Sequence, residues 1–487
     1  MDTVPSSDTD LLVAAVTAAQ GIVPESSMKQ TLRSAACLLL MMGCASVSPK
    51  PAFEDVSKLV RERGGAPLYW DQGTPADQQV KAQVQKLVRG KLTPDAAVEI
   101  ALLRNQGLVA TYEELGIAQA DLVQAGLLRN PSFGARVRFP SSGPGTFVDS
   151  ELSVTQDFLD LFTLPLRKRV ASAQLDAAKA RVGNAVLELA AQVRGAIVTL
   201  QAAQATVEMR KLVLDAQGAV VELRRRQRAA GNVSDLDLAQ EEASFEQGKL
   251  ELGRAEAQAI ENRERVNRWL GLWGEESASW SVESTMSPLP AQEPPLEHVE
   301  SLAVERRLDL AAARAESGAL EQAASLAGLS RFLPALQFGV STGRDAEGTR
   351  VAGPNLSVEL PLFDQGQARA ARLLSQVRQA RARQEELAVN VRAEVRSLRN
   401  QLLAARGVAE QYRTVLLPLR EQIVKEAQVR YNAMLLGVFQ LLRARREQLD
   451  AVRDYLDSVR GYWIAHAELE RAVGGSLTPR PSPENLR

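Results

Sequence analysis

The sequence predicts a mainly α-helical protein with a small β part, built from two copies of one unit. Its 487 residues are 45% hydrophobic and 24% charged but only 5% aromatic, a balance typical of long helices rather than of a thick globular core. One stretch, LSVELPLFDQG at 356–366, alternates like a strand and is followed by a charged, Ala- and Leu-rich helical pattern of about 65 residues. The same succession occurs about 204 residues earlier, which indicates a duplication.

Charge and cysteine content exclude several classes of protein. The formal net charge of -1 gives no electrostatic reason to expect binding to nucleic acid. The two cysteines, Cys37 and Cys44, both lie near the start, so no disulfide framework can hold the rest of the chain together.

The segment 28–48, MKQTLRSAACLLLMMGCASVS, has the plan of a short secretory signal. Lys29 and Arg33 form a basic region, an apolar run follows, and a small residue stands before Cys44. The segment resembles a bacterial lipoprotein signal, which implies a signal peptide at 28–43 and lipidation of Cys44. Because no Asp follows the cysteine, the resemblance also implies sorting to the outer membrane. The alternative is a buried helix that happens to contain a cysteine.

The segments on either side of this signal carry little structural pattern. Residues 1–27 do not fit in front of a signal peptide, and we expect them to be a non-native N-terminal extension with Met28 as the true start. Residues 49–90 hold Pro, Gly and charges with little period, so we expect 44–91 to be a tether lying along the rest of the molecule. No later segment reaches about 18 consecutive apolar residues, so any membrane crossing must use strands.

Landmarks in the two halves of the chain recur at nearly one offset. These pairs are Pro131 with Pro334, Leu152-Ser153-Val154 with Leu356-Ser357-Val358, and the turn at Gly231 with the region of Met434. Self-similarity over so long a period indicates duplication of a whole half rather than a solenoid. We therefore predict a first repeat at 92–290, a second repeat at 291–475 and a disordered tail at 476–487.

Four segments alternate between apolar and polar residues, two at about 132–158 and two at about 335–362. Each pair is joined by a loop rich in Gly, Ser, Asp or Pro, as a hairpin requires. Eight of the eleven Phe residues lie in or beside these segments, which favours a lipid-facing band. The predicted lipid-facing residues are Phe133, Val137, Phe139, Leu152, Val154, Phe158, Leu336, Phe338, Val340, Leu356, Val358 and Leu360. The alternative is an ordinary half-buried sheet that packs on helices.

Four strands cannot close a barrel around water, because lipid tolerates no open sheet edge and a wet lumen needs many strands. The chain must therefore oligomerise. Three copies would give twelve strands.

Long antiparallel helices are predicted as hairpins at about 164–271 and 365–473. In the second hairpin, apolar residues follow coiled-coil spacing. This seam consists of Leu387, Val391, Val395, Leu398, Leu402, Ala405, Val408, Tyr412, Val415 and Leu419. A thinner stripe on the far side consists of Val389, Ala393, Leu403 and Leu417. Because two apolar faces allow neighbours on both sides, we predict a helical barrel, about 95 Å long at about 1.5 Å per residue.

The strand-to-helix junctions, the helical turns and the tail together resemble the outer-membrane efflux protein family, the TolC-like channels. The matching stretches are LSVTQDF, LSVELPLFDQGQARA, RRQRAAGNVSDLDLAQ, VRYNAMLLGVFQLLRARRE and YWIAHAELERAVGG. The resemblance covers residues 92–475 and implies a homotrimer whose strands form a trimeric 12-strand β-barrel in outer-membrane lipid, with a helical tunnel below it. It also implies docking to a periplasmic adaptor and an inner-membrane pump. In that arrangement the protein would be a passive exit duct, and lipid anchoring is a feature of one subset of the family. The tail is more similar to members that serve heavy-metal pumps, which implies metal cations as cargo.

The chain departs from the family pattern at one turn. The family has Gly where Met434 stands, three residues after Tyr431, whereas the first half keeps Gly231 three residues after Arg228. We therefore expect the second turn to be shaped differently from the first.

Charged residues concentrate at both helical turns, which would converge at the periplasmic end of a trimer. One hypothesis is that Arg–carboxylate pairs across neighbouring turns hold the aperture shut until an adaptor competes for them. The candidates for aperture and adaptor contacts are Arg228, Gly231, Asp235, Asp237, Tyr431, Met434, Arg443 and Arg445. The alternative is that these charges only solubilise the turns, since exposed ion pairs are individually weak.

Residue types needed for catalysis or metal binding do not cluster in the sequence. His298 and His466 are the two histidines, and neither has a partner at metal-ligand spacing. No phosphate loop, nucleophile elbow or zinc motif occurs. We predict no enzyme activity, no cofactor and no bound metal. The competing function is a lipid-anchored periplasmic coiled-coil scaffold without pore activity, which would not need alternating segments rich in Phe.

Overall fold

The computed structural model describes residues 47–71, 73, 75–138, 149–283, 285–330, 336–344 and 348–477. The predicted signal peptide, the lipidation of Cys44 and the lipid-facing Phe139 lie outside the described residues, as does most of the predicted tail.

Helices account for 74% of the structure and strands for 9%, which confirms a mainly α fold with a small β part. The first half contains α1 (Lys50–Glu62), α2 (Ala76–Val88), β1 (Lys91–Leu92), α3 (Pro94–Arg104), α4 (Gln106–Ala125), β2 (Ser132–Arg138), β3 (Asp149–Asp157), α5 (Leu159–Ala229), α6 (Asp235–Leu270), α7 (Glu275–Ser279) and β4 (Ser281–Val282). The second half contains α8 (Val299–Arg306), α9 (Leu308–Ser330), β5 (Leu336–Arg344), β6 (Arg350–Val358), α10 (Gln367–Gln411), α11 (Leu417–Asn432) and α12 (Val438–Val473).

Strands β2, β3, β5 and β6 form one antiparallel sheet, in that order. The register sets Phe133 opposite Val154, and Val154 opposite Val340 on the next strand. Residues directly opposite each other point to the same side of a sheet, so the apolar side chains of neighbouring strands share one face. The predicted alternation is confirmed over most of its length.

The last predicted strand is shorter than expected. β6 ends at Val358, so Leu360 and Leu362 fall in the connection to α10, and the prediction of Leu360 as a strand residue was wrong. Pro361 has no N–H for a ladder hydrogen bond, and the Leu362 N–H donates to the Leu360 carbonyl at 2.9 Å in a tight turn. Apolar alternation therefore continues past the point at which the ladder stops.

The long helix predicted after the last strand is present, with one irregularity. A π-helical turn at Tyr412–Leu416 joins α10 to α11, so the helical run extends from Gln367 to Asn432. Pro418 explains the irregularity, because proline lacks an N–H and its ring clashes with the carbonyl four residues earlier. Among the described residues, no helix has a stretch both long enough and apolar enough to span a bilayer.

The seam of the second hairpin faces α12 as predicted up to Leu402, where Val391, Val395 and Leu402 are buried. Ala405 also packs against this core, but from Val408 on the prediction was wrong for most of the seam, since Val408 is 50% exposed and Ala409 is buried instead. Ala409 lies seven residues after Leu402, so the heptad selects the smaller side chain over its larger neighbour.

Each half of the chain has its own buried core. In the first half, α5 packs against α1, α3 and α4, and residues 49–90, expected to show little period, instead form α1 and α2. In α1 the buried residues Ala52, Val56 and Val60 recur every four positions, which is one face of a helix. In the second half, α8, α10 and α12 share the core.

Candidate functional site

One face of the four-stranded sheet is apolar and exposed. Phe133 is 69% exposed, Val340 is 57% exposed and Leu356 is 66% exposed. The same face carries the predicted residues Val137, Leu152, Val154, Phe338 and Val358, which are also exposed, and Leu336, which is half-buried. A continuous apolar surface of this kind is unfavourable in water and marks a site of contact with a nonpolar environment.

Phe158 extends this apolar face although it follows the end of β3. Its N–H donates to the Leu336 carbonyl at 2.9 Å, and its ring meets the ring of Phe338 edge-on with centroids 6.0 Å apart. The placement of Phe158 beside Phe338 brings two of the predicted residues together.

The opposite face of the sheet is polar and built from small residues. Arg136 forms an ion pair with Glu151 on the neighbouring strand at 3.6 Å. The Ser132 and Thr155 hydroxyls hydrogen-bond to each other at 2.5 Å. Ser153 lies opposite Ser341, so the middle of this face carries short hydroxyl side chains. One face is therefore suited to a nonpolar environment and the other to water.

Both edges of the sheet lack a neighbouring strand within the described residues, because β2 and β6 each pair on one side only. An edge strand presents a row of backbone N–H and C=O groups that can pair with another chain. Within the described residues this is therefore an open four-stranded sheet with an apolar face, a polar face and two edge strands available for pairing.

The first helical turn joins α5 to α6 in a regular capping arrangement. Gly231 has a left-handed φ of 77°, and the Asn232 N–H donates to the Gln227 carbonyl at 2.9 Å. The Ser234 hydroxyl then caps α6 by accepting a hydrogen bond from the Asp237 N–H at 3.1 Å.

The second turn has the same shape, so the expectation of a different shape was wrong. Met434 adopts a left-handed φ of 56°, and the Leu435 N–H donates to the Arg430 carbonyl at 2.8 Å, as in the first turn. Met434 is 94% exposed, so its side chain meets no steric obstacle and the backbone alone bears the strain. The geometry of the turn is retained without the glycine.

The charged residues of the first turn pair within their own hairpin. Arg228 donates two hydrogen bonds to the two carboxylate oxygens of Asp235, and these lower the pKa of Asp235. Asp237 accepts a hydrogen bond from the Ser234 hydroxyl at 2.7 Å. A gate that links neighbouring turns would therefore require these carboxylates to exchange partners.

The two predicted arginines of the second turn bond to residues on their own helix. Arg443 donates to Glu447 at 3.2 Å, and Arg445 donates to Gln448 at 2.8 Å, both along α12. Tyr431 is 38% exposed at the end of α11. These side chains lie at the surface, where a partner could contact them.

One contact near the turns was missed from the sequence. The Arg224 guanidinium of α5 lies over the Phe439 ring of α12, 3.5 Å from its centroid, and only 8% of Arg224 is exposed. This contact joins the two hairpins of one chain. Phe439 lies far from the strands that hold most of the Phe residues, but so do Phe53 and Phe245, so its position in the sequence did not point to this contact.

Among the described residues, no group of His, Cys, Asp or Glu side chains is arranged to hold a metal ion. His466 packs against the rings of Trp463 and Tyr462, with centroids 5.6 Å and 6.1 Å away. Its environment is therefore an aromatic cluster.

Comparisons with known proteins match both halves of the chain. The family model "Outer membrane efflux protein" matches residues 97–272 and 299–475. The cobalt-zinc-cadmium resistance protein CzcC of Cupriavidus metallidurans is 26% identical over 400 residues, which cover 79% of this chain and 90% of CzcC. A solved membrane protein from Pseudomonas aeruginosa is similar with a TM-score of 0.68 at 21% identity, covering 85% of this chain and 98% of that chain. The CmeC outer membrane channel of Campylobacter jejuni is similar with a TM-score of 0.65 at 15% identity, covering 88% and 94%.

Proposed function

The chain belongs to the outer membrane efflux protein family, and from this premise we propose that it is the passive exit duct of a tripartite efflux system. In this proposal a periplasmic adaptor and an inner-membrane pump deliver the cargo, and the chain conducts it to the exterior. The protein performs no chemical reaction on what passes.

The single observation that carries the proposal is the sheet, with its exposed apolar face, its polar face and two edges that pair with no other strand of the described chain. In lipid every backbone N–H and C=O must be satisfied within protein, so open edges need partner strands. Three copies of the chain would pair edge to edge into a twelve-strand barrel. The apolar faces would then meet lipid, and the polar faces would line the lumen.

The helices support the second part of the proposal. Helix α5 has 71 residues and is about 105 Å long at about 1.5 Å per residue, which suits a tube through the periplasm. We propose that the turns at its far end contact the adaptor. The residues assigned to this aperture are Arg228, Gly231, Asp235, Asp237, Tyr431, Met434, Arg443 and Arg445.

Similarity to a protein named for resistance to cobalt, zinc and cadmium supports divalent metal cations as the cargo. We further propose that Cys44 carries the lipid anchor after removal of a signal peptide at 28–43. A tether at 44–91 would then lead into the two repeats. A single acyl chain anchors weakly, so a firm anchor requires more than one chain on the cysteine.

The test is whether the purified full-length protein is a trimer that forms pores. Extracts of outer membrane should contain a band that migrates as a trimer unheated and as a single chain after boiling, and planar bilayers should show steady conductance. A scaffold protein would give a single chain and no conductance.

A pair of matched variants ties that result to the sheet. Val154→Asp with Val340→Asp places charges on the apolar face of the two central strands, where Val154 lies opposite Val340. Ser153→Asp with Ser341→Asp places the same charges one residue away, on the polar face. We expect the first pair to abolish conductance and the second pair to retain it. Equal behaviour of the two pairs would contradict the assignment of the faces.

The aperture hypothesis gives a smaller, separate prediction. Asp235→Ala with Asp237→Ala should raise single-channel conductance if carboxylates at the first turn help to close the aperture. Glu208→Ala with Glu246→Ala removes two exposed carboxylates elsewhere on the same hairpin, each paired with a nearby lysine, and serves as the control. Unchanged conductance in the Asp235 and Asp237 variant would leave the turns with a solubilising role only.

A further inference from the structure

A tryptophan side chain projects into solvent where the first long hairpin ends. Trp273 is 77% exposed and follows the last residue of α6 by three positions. Trp280, in the same connection, is only 2% exposed. Large aromatic side chains that remain at a protein surface are enriched where a partner or a ligand makes contact. Trp273 is therefore a candidate contact for a ligand.

The loop around Trp273 is fixed on both sides. Before it, the Leu272 side chain is buried, and the Leu272 N–H donates to the Asn267 carbonyl at 3.0 Å. After it, the Arg263 guanidinium donates to the Trp280 carbonyl at 2.7 Å and lies over the Trp280 ring, 4.2 Å from its centroid. Because the loop is already ordered, the exposed indole loses little conformational freedom when it binds.

A cavity of about 290 Å³ lies beside Trp273. Its lining combines several kinds of side chain, among them the apolar Val80, the exposed carboxylate of Asp71, the exposed ammonium of Lys81 and the exposed amide of Gln106. These groups bring a flat aromatic surface, hydrogen-bond donors and hydrogen-bond acceptors to one place. The site is therefore suited to a ligand with one apolar face and several polar groups around it.

A saccharide has this combination of groups. One face of a pyranose ring presents C–H groups, which pack on the electron-rich face of an indole. Its hydroxyl and acetamido groups both donate and accept, so they can pair with a carboxylate, an ammonium and an amide alike. A purely apolar ligand would leave the polar groups of the cavity without hydrogen bonds, and a purely anionic ligand would meet the carboxylate of Asp71.

The level of the cavity along the molecule determines which saccharide is within reach. Helices α5 and α6 are antiparallel, with Arg210 paired to Glu251 and Arg225 paired to Glu242. This register sets the end of α6 beside α5 about 30 residues below the sheet, which is about 45 Å. In the proposed orientation the cavity is therefore in the periplasm, since the hydrocarbon core is only about 30 Å thick. The sugars of outer-leaflet lipids lie on the opposite side of that core, which leaves the saccharide of the cell wall.

We propose that Trp273 and the adjoining cavity bind the glycan strands of the cell wall, which are chains of N-acetylated amino sugars. This inference rests on the proposed function, because it needs the sheet in the outer membrane and the cavity in the periplasm. Trp273 stacks on a sugar ring, and Lys81 and Gln106 hydrogen-bond to its hydroxyl and acetamido groups. The contact fixes the duct where it passes through the wall.

The experiment is co-sedimentation of the purified full-length trimer in neutral detergent with cell-wall sacculi, with chitotetraose as a soluble competitor. Trp273→Ala should weaken binding about tenfold, because the stacking and the burial of the indole are both lost. Trp273→Phe keeps a smaller aromatic ring and should weaken binding only about threefold.

Two lysines of α2 provide a matched control. Lys81 lines the cavity, whereas Lys86 is also exposed on the same helix but does not line it. Lys81→Ala should weaken binding about threefold, as expected for the loss of one hydrogen bond. Lys86→Ala removes the same charge and should leave binding unchanged. The comparison separates the site from a general attraction between the protein and the acidic groups of the wall.

Unchanged sedimentation of the Trp273→Ala variant would overturn the proposal, as would equal losses in the two lysine variants or a failure of chitotetraose to compete. Dissociation of the trimer in the Trp273→Ala variant would also overturn it, because the indole would then belong to a contact between copies of the chain. Conductance of the unmodified protein separates the two proposals. A conducting trimer that does not bind sacculi refutes only this site, whereas absent conductance refutes the duct.

Discussion

The two halves of the chain build the same junction with different chemistry. In the first half, Asn105 separates α3 from α4 and its amide donates to the Trp269 carbonyl at 2.8 Å. In the second half, Arg307 separates α8 from α9 and its guanidinium donates to the Ala472 carbonyl at 3.4 Å. Trp269 and Ala472 both lie in the last turn of a long helix. One connection is therefore made by a neutral amide and the other by a charge.

At the junction in the second half, Arg307 belongs to a network of ion pairs. The Arg307 side chain is only 9% exposed and pairs with Asp309 at 2.6 Å and with Glu394. Arg471 donates to the other oxygen of Glu394 at 2.6 Å. The duplicated backbone therefore needs a hydrogen-bond donor at the same place in both halves, whereas the chemical identity of that donor differs between them. We therefore expect the stability of the second half to depend on pH more than that of the first.

Removing the charge should expose the largest difference between the halves. Arg307→Met leaves the carboxylates of Asp309 and Glu394 without their shared partner in a mostly buried place. We expect the free energy of unfolding to fall by about 3 kcal/mol, toward the lower end for a broken buried pair because Glu394 keeps Arg471. Denaturant unfolding of the full-length protein in detergent, followed by tryptophan fluorescence, measures this loss.

The matched change in the first half is Asn105→Ala. It removes the bond to Trp269 and the cap on the Leu108 N–H, which should cost about 1–2 kcal/mol. Equal losses in the Arg307 and Asn105 variants would show that the charge adds nothing to the junction.

Each half has a glycine at the end of a long helix, and replacing either one should give the next largest loss of stability. Gly271 and Gly474 end α6 and α12 with φ of 67° and 84°, and a Cβ at either would approach the backbone of Arg104 or Arg306 within 3.0 Å. Gly271→Ala and Gly474→Ala should each cost about 2–3 kcal/mol, from left-handed strain plus displacement of a carbonyl. Gly253→Ala, inside α6 with open space around it, should instead stabilise slightly. A loss in one half alone would break the equivalence of the two junctions.

The sequence predicted the architecture because periodicity is a local property that survives duplication. The alternation around Val154 and Val340 and the repeat at Gly231 and Met434 could be read directly. The contacts at Arg307 and Arg224 could not be predicted, since their partners lie far along the chain and only packing brings them together. Leu360 was misassigned because alternation says which face a residue takes and does not say where ladder bonds end.

Acid should weaken the second junction more than the first. Burial would raise the pKa of Glu394, but hydrogen bonds from Arg307 and Arg471 lower it on balance. A carboxylate with a lowered pKa stabilises the fold above its ordinary pKa near 4.5, and this contribution disappears as the pH falls through the lowered value. Glu394→Gln should therefore cost about 1–2 kcal/mol at pH 7, and this cost should shrink steadily as the pH falls below about 4.5. The cost of Asn105→Ala should stay constant over the same range, and a constant cost for Glu394→Gln would contradict the assignment.

The smallest expected effect is at the two helical turns. They share one backbone conformation and differ in the residue that adopts the left-handed φ, which is Gly231 in the first turn and Met434 in the second. Met434→Gly relieves left-handed strain of about 1–2 kcal/mol, while the added freedom of the unfolded chain offsets about 0.4–1 kcal/mol of that gain. We expect a net stabilisation of about 0.5 kcal/mol, and Gly231→Ala should cost about as much, since a Cβ there meets no atom within 4 Å. Hydrogen exchange of the amides at each turn measures these local changes. If Met434→Gly instead speeds exchange at the second turn, the exposed Met434 side chain holds a contact that offsets its strain, and the two turns differ in more than one residue.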